Sequence, residues 1–259
     1  MASGFVSKLL TLFIALFAAC SDIPRDNPLD PKNPESTRKQ KVLIEAFVNT
    51  TDSLPANVNK FALAALDSLQ NTYPAELVIL DYHRNTRDYS DPYHSIENEN
   101  LYRHYIARFD SFAGVPDVFF NGTLARVQGA SGVQNSITRF STALSGLLNR
   151  NSEFFIEIGY QRNGSQVIPE IKVARLGGSD ASNLVLKTAL IAQIDPQFLK
   201  RVVRDVSTVP IQRIEHGTFR KFTLAPLLIK EPAVKHFLAA YVTDGAEEVV
   251  FQCEISEVQ

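Results

Sequence analysis

The stretch Phe47-Val-Asn-Thr-Thr-Asp-Ser-Leu-Pro-Ala-Asn-Val-Asn-Lys-Phe61 joins two segments of different periodicity. Before it, Lys41-Val-Leu-Ile-Glu-Ala-Phe47 is almost continuously apolar, the pattern of a central strand buried on both faces. After it, Pro55 to Gln70 carries apolar residues at helical spacing. A sharp strand-to-helix turn near the head of a globular segment is a common seat for an active-site pair, and this turn offers Thr, Asp, Ser, Leu and Pro. A serine nucleophile at Ser53 needs a base and an oxyanion hole. The chain has no Gly-x-Ser-x-Gly elbow, and the histidine nearest in sequence is His83. Helix capping is therefore the expectation: Asp52 or Ser53 accepts from free backbone N–H groups, and Pro55 sits in the first turn.

Working outward, residues 41–149 read as a central sheet with helices on its faces. A second apolar strand is expected at Glu76-Leu-Val-Ile-Leu-Asp-Tyr82, a polar loop at His83–Glu97 and a helix at Asn98–Asp110. Gly114-Val-Pro-Asp-Val-Phe-Phe120 reads as a strand opened by Pro116; Asn121-Gly122 is a strong hairpin signal, and Ser136–Leu148 a closing helix. Residues 150–259 change character. Strand-like runs at Phe154–Gln161, Gln166–Ala174, Leu184–Ile194, Lys200–Val206, Phe219–Leu224, His236–Thr243 and Glu248–Ile255 recur between short turns, with no long helical pattern. The expectation there is an antiparallel, immunoglobulin-like β-sandwich. The fold class is thus α/β plus all-β.

Residues 1–19 have the form of an export signal: Lys8 gives a positive start, and Leu9–Ala19 is an apolar stretch too short for a comfortable membrane span. It ends Phe17-Ala-Ala-Cys20, which resembles the bacterial lipobox although Phe17 replaces the usual leucine. That resemblance implies cleavage before Cys20, lipidation of Cys20 and attachment to a membrane through the lipid. Residues 20–40, with four prolines among charged and amide residues, read as a stiff tether. A formal net charge of −2 gives no basic footprint for nucleic acid. Of the chain's two cysteines, the other, Cys253, lies in an apparent final strand and reads as a small buried hydrophobe.

The loop Asp81-Tyr-His83…Asp88…Asp91…His94…His104 gathers three of five histidines but follows no metal-ligand spacing, so a solvated loop is expected and no metal or cofactor. Arg204-Asp205 is expected to make an ion pair or a strand-end bond, and Phe119-Phe120 and Phe154-Phe155 to pack the core.

The first half resembles a thioredoxin-like domain in its strand-turn-helix at 41–70, its Val115-Pro116 step before a strand and its Asn121-Gly122 hairpin. More narrowly, the chain resembles lipoproteins related to outer membrane protein 28, through Val42–Phe47 with Asn49-Thr50, Tyr82-His83, Asp91-Pro-Tyr93, Arg103 with Tyr105, Gly114-Val-Pro116, Val203-Arg-Asp205 and Ala240–Asp244. The resemblance implies an outer-membrane location, a cis bond before Pro116, and a peptide-contacting cleft between Asp52–Pro55 and the Val115-Pro116 step. It also implies a Cys-x-x-Cys whose positions here hold Asp52 and Pro55. No cysteine occurs between residues 21 and 252, and thiol–disulfide exchange requires a thiolate. The expectation is a non-catalytic protein that binds an envelope polypeptide. A thiol–disulfide or peroxide-handling protein borrowing a partner's thiol is the alternative from the enzyme class, and a purely structural spacer is a third reading.

Overall fold

The computed structural model describes residues 28–30, 35–51, 58–109 and 112–259. Residues 36–259 form one compact unit. The expected signal segment, Cys20 and residues 21–27 and 31–34 of the tether lie outside the described residues, as do Asp52, Ser53 and Pro55.

The elements in chain order are β1 (Arg38–Lys39), β2 (Val42–Val48), α1 (Val58–Thr72), β3 (Leu77–His83), α2 (Ile96–Ile106), β4 (Asp117–Phe120), β5 (Ala125–Gln128) and α3 (Val133–Ser145). There follow β6 (Asn151–Ser152), β7 (Phe154–Asn163), β8 (Gln166–Arg175), β9 (Ala181–Ala192), β10 (Val202–Ile214), β11 (Thr218–Thr223), β12 (Leu227–Leu228), β13 (His236–Asp244) and β14 (Val250–Val258). The chain is mixed α/β and mostly sheet, with three helices among the described residues.

Strand β2 pairs in parallel with β3 and antiparallel with β4, and all seven of its residues are buried. Alternation assigns its side chains to two cores. Val42, Ile44, Ala46 and Val48 face α1 and α3, which supply Ala62, Leu66, Leu69, Phe140 and Leu144. Leu43 and Phe47 face the opposite side, with Tyr102 and Tyr105 of α2. Helix α1 forms because Ala62, Leu63, Ala65, Leu66 and Leu69 fall on one face at helical spacing. Burying each leucine contributes roughly 1.5–3 kcal/mol. Phe47 sits at the centre of an aromatic group, 5.2 Å from Tyr82, 5.0 Å from Tyr102 and 5.6 Å from Phe119 between ring centroids.

The hairpin between β4 and β5 turns through Asn121 (φ 48°) and Gly122 (φ 71°), as expected of Asn-Gly. Glycine is required at the second position for a further reason. A Cβ there would collide with the backbone carbonyl of Glu248, against which the turn is packed.

One large sheet runs through both halves, in the order β14-β13-β9-β10-β3-β2-β4-β5. The boundary expected near residue 150 is therefore not a break in the sheet. The join is a parallel contact at Val202 and Asp81, with Asp81 N donating to Arg201 O at 2.9 Å. The Arg201 side chain reinforces it, donating to Asp81 at 3.2 Å and to Asp67 of α1 at 2.7 Å. Strands β7, β8, β11 and β12 form the second sheet, which packs over β9, β10, β13 and β14 around Val173, Leu186, Leu190, Ile211 and Leu238. Strand β10 runs well past the expected Val206. Pro210 discourages a strand reading, yet here it is accommodated opposite Val185 of β9. As expected, Arg204 pairs with Glu231 at 2.7 Å, and Asp205 accepts from the backbone N of Leu228 at 2.8 Å.

Candidate functional site

Because β2 and β3 are parallel, their C-terminal ends open on one edge of the sheet, where α/β folds place ligands. Asn49 leaves β2 fully buried and fastens that edge. Its Nδ2 donates to the carbonyls of Arg84 and Tyr89, both at 3.0 Å, and its Oδ1 accepts from Thr51 N at 2.9 Å. Asn59, in the first turn of α1, accepts from Asn49 N at 3.2 Å. The two sides of the turn between β2 and α1 are thereby held at fixed positions.

Asp91 supports the same turn from the facing loop. Its Oδ2 accepts from Thr50 N at 2.8 Å and Thr50 Oγ1 at 3.0 Å, and lies 3.0 Å from His83 Nδ1; its Oδ1 accepts from Tyr93 N at 2.9 Å. Both the His83 and Asp91 side chains are without solvent exposure. Burial pushes the Asp91 carboxyl up, but the His83 ring and the backbone N–H groups of Thr50 and Tyr93 outweigh it and hold the carboxyl below its ordinary range. Tyr93 packs edge-on against His83, with 5.3 Å between centroids.

The expectation of a solvated loop thus fails at these residues, because a polar side chain can be buried once its partners are buried with it. The three histidines of this region diverge. His83 faces Asp91, His94 accepts from Asn85 N at 3.4 Å, and His104 bonds the Ala246 carbonyl at 2.8 Å. Among the described residues, no three His, Cys, Asp or Glu side chains are grouped to hold a metal ion.

A second buried polar chain supports the step before β4. Arg84 donates to Glu99 at 3.0 and 3.1 Å and stacks 3.7 Å above the Tyr102 ring. The Tyr102 hydroxyl donates to Asp117 Oδ2 at 2.9 Å and accepts from Gly114 N at 2.8 Å. Arg126 completes it with two bonds to Asp117, at 2.9 and 2.6 Å. Burial, with Asp117 adding to it, pushes the Tyr102 hydroxyl up to about 12. The Val115-Pro116 bond is cis, and the Pro116 carbonyl accepts from Gly129 N at 2.7 Å. The residues Asn49-Thr50, His83, Asp91–Tyr93 and Gly114–Pro116, scattered in sequence, therefore belong to one edge of the sheet.

Beside Thr50 lies a groove of about 560 Å³. One wall is Lys60, Phe61, Ala64 and Asp67 of α1; the others are Pro92-Tyr93 and the loop Asp195–Leu199 that leads into β10. Phe198 projects into solvent at 54% exposure, with Lys60 5.7 Å above its ring. Neither Val115 nor Pro116 lines this groove. The contribution of the 195–199 loop was not legible in sequence. Its one signal is an apolar pair, Phe198-Leu199, in a Pro-containing turn between strands.

Cys253, buried in β14, is a free thiol whose ionisation burial makes much harder.

No protein-family model matches the chain, and no curated protein matches it. Solved structures do. HBP35 of Porphyromonas gingivalis is similar at a TM-score of 0.62 and 9% identity, over 86% of this chain and 77% of that one. Protein AGR_C_4864 of Agrobacterium tumefaciens is similar at a TM-score of 0.51 and 18% identity, over 86% of this chain and 97% of that one. At such identities the likeness is one of fold, and it extends across both halves of the chain.

Proposed function

We propose that this protein is a lipid-anchored envelope protein whose first half is a thioredoxin-like domain without a thiol pair, and whose work is to hold an extended polypeptide. In this reading Cys20 carries the lipid, the outer membrane is the site of anchoring, and residues 21–40 space the body from the bilayer. The reading draws its family placement from the resemblance to lipoproteins related to outer membrane protein 28, and its β-rich second half is an immunoglobulin-like sandwich.

The observation that carries it is the groove beside Thr50. It lies beside Thr50, two residues before the first position that the resemblance assigns to a thiol pair, it is walled by Phe61, Ala64, Tyr93 and Phe198, and it offers no thiol. Grooves of this size with apolar walls and few polar groups suit a buried side chain of a bound chain. The occupant is a peptide that inserts an aliphatic or aromatic side chain between Phe61 and Phe198. The alternative is thiol exchange through a partner's cysteine, to which Cys253, buried in β14, would offer no exposed thiol.

The test uses the full chain and peptides of equal length that differ only at the central residue. Peptides centred on Leu or Phe should bind, those centred on Asp or Lys should not, and Phe198→Asp should weaken the former about tenfold or more, as removal of an interface anchor does. Binding indifferent to the central residue and to Phe198→Asp would contradict the proposal.

A further inference from the structure

A second groove, of about 660 Å³, lies where the β1–β6 pair meets the first residues of β9 and β14. Two residues of its wall stand side by side, because Gln40 N donates to the carbonyl of Arg150 at 2.9 Å. Gln40 is only 6% exposed. Its Nε2 donates to the carbonyls of Val250 at 2.9 Å and Phe251 at 3.0 Å, along the edge of β14 that no strand of the large sheet covers. Both amide hydrogens are thereby used. Its Oε1 accepts from no group among the described residues, yet it is not enclosed, so it is an acceptor open to the groove. A side chain so deeply buried ordinarily has its polar atoms matched, and here one is left for a ligand.

We propose that this groove takes the C-terminal residue of a polypeptide, one with a large apolar side chain. Three features select that chemistry. Arg150 uses its Nε on the Gly146 carbonyl at 2.9 Å, and no carboxylate of the described residues pairs with it. Its two terminal amino groups are left to grip a carboxylate in a bidentate pair. Beside it, Gln40 Oε1 accepts an amide N–H. The carboxylate and the N–H of a C-terminal residue share one Cα, which matches a cation and an acceptor on neighbouring wall residues. Beyond them the wall is apolar: Leu124, Leu184 and Val249, with Phe154 and Phe251 stacked at 5.6 Å between centroids. Its volume is that of a site for a small ligand or a chain end.

Other occupants fit less well. The second cation of the wall, Arg175, is paired with Glu153 and lies 4.8 Å from the centroid of the Phe154 ring, so one open guanidinium remains and a multiply charged anion is not matched. A free amino acid would place an ammonium beside Arg150 where an acylated residue places a neutral N–H. An internal stretch of chain brings no carboxylate. Leu124, 41% exposed in the turn between β4 and β5, is the part of the apolar wall that a ligand would cover. The site shares no residue with the groove beside Thr50 and stands whether or not that groove holds a peptide.

The experiment is calorimetric titration of the full chain with acetyl-Ala-Ala-Phe bearing a free carboxylate, with its C-terminal amide, and with the ester in which oxygen replaces the last N–H. The acid should bind at least about tenfold more tightly than the amide, for a hydrogen bond to a charged group, and about fivefold more tightly than the ester, for a neutral one. Arg150→Gln should erase the preference for acid over amide and leave the preference over the ester. Leu124→Asp should weaken the acid about tenfold. Both positions are exposed, so neither change disturbs the core. Phe198→Asp, in the other groove, should leave the carboxylate preference unchanged. Absence of binding by the acid, equal binding of acid and amide, a preference that survives Arg150→Gln, or one that disappears with Phe198→Asp would each overturn the inference.

Discussion

His83 Nδ1 and Asp91 Oδ2 meet at 3.0 Å with neither side chain exposed, so the loop after β3 is tied to the exit of β2 by a buried pair. Asp91 also accepts two bonds from Thr50, so replacing it leaves several buried donors unmatched. Asp91→Ala should cost about 3 kcal/mol, measured by urea denaturation. The pH dependence has a definite sign. The folded carboxyl is held below its ordinary value of 3.8, so its contribution is present above that value and is lost as pH falls through the lower folded one. The stability difference between the native chain and Asp91→Asn should shrink on acidification below about pH 4 and stay constant above about pH 5.

Glu45 has the opposite sign. Its carboxyl is raised in the folded chain, so ionisation above its ordinary value of 4.5 favours unfolding, and stability falls as pH rises from there toward the folded value. Glu45→Gln keeps an acceptor for Tyr105 and removes the charge. It should raise the melting temperature by about 2–4 °C near pH 7.5, the shift expected from about 1 kcal/mol in a chain of this size. A lowered melting temperature at that pH would show that the ionised carboxylate is matched in the folded chain.

Tyr102 joins Gly114 to Asp117, and its ring carries the Arg84 guanidinium. Tyr102→Phe keeps the ring and removes both hydrogen bonds, leaving Gly114 N and Asp117 short of a partner. A loss of about 1–3 kcal/mol is expected in urea denaturation, with the secondary-structure spectrum unchanged.

Cys253 should be inert to a thiol reagent in the native chain carrying Cys20→Ser, and should react fully once the chain is unfolded in urea. Its burial in β14 is the reason. Rapid modification without denaturant would contradict the description of that strand.

The sequence and the structure agree where the signal is local. The buried run of β2, the helical spacing of α1, the Asn121-Gly122 turn and the alternation in β7 and β8 each reflect a short-range preference, and each element lies within a few residues of its expected place. The cis bond before Pro116 came from a resemblance and matches. What was not legible depends on distant pairing. Nothing near Asp81 announces that Arg201 and Val202 will extend its sheet, since a parallel contact between segments 120 residues apart leaves no periodic trace. Burial of His83 and Asp91 was missed for the same reason: each is polar alone and satisfied only as a pair. Nothing near Glu45 announces its surroundings either, because the three tyrosines around it come from β3, α2 and β13.

The central claim, that the groove beside Thr50 holds a polypeptide, is tested most directly by cross-linking in living cells. A photoreactive residue replaces Phe198 in the full chain, and a second version carries it at Phe219, an exposed aromatic on β11 far from the groove in sequence and sheet. The account predicts discrete polypeptide adducts from position 198, absent from position 219 and lost when Ala64→Arg fills the groove. Adducts that are the same from both positions, or that persist in Ala64→Arg, would contradict it.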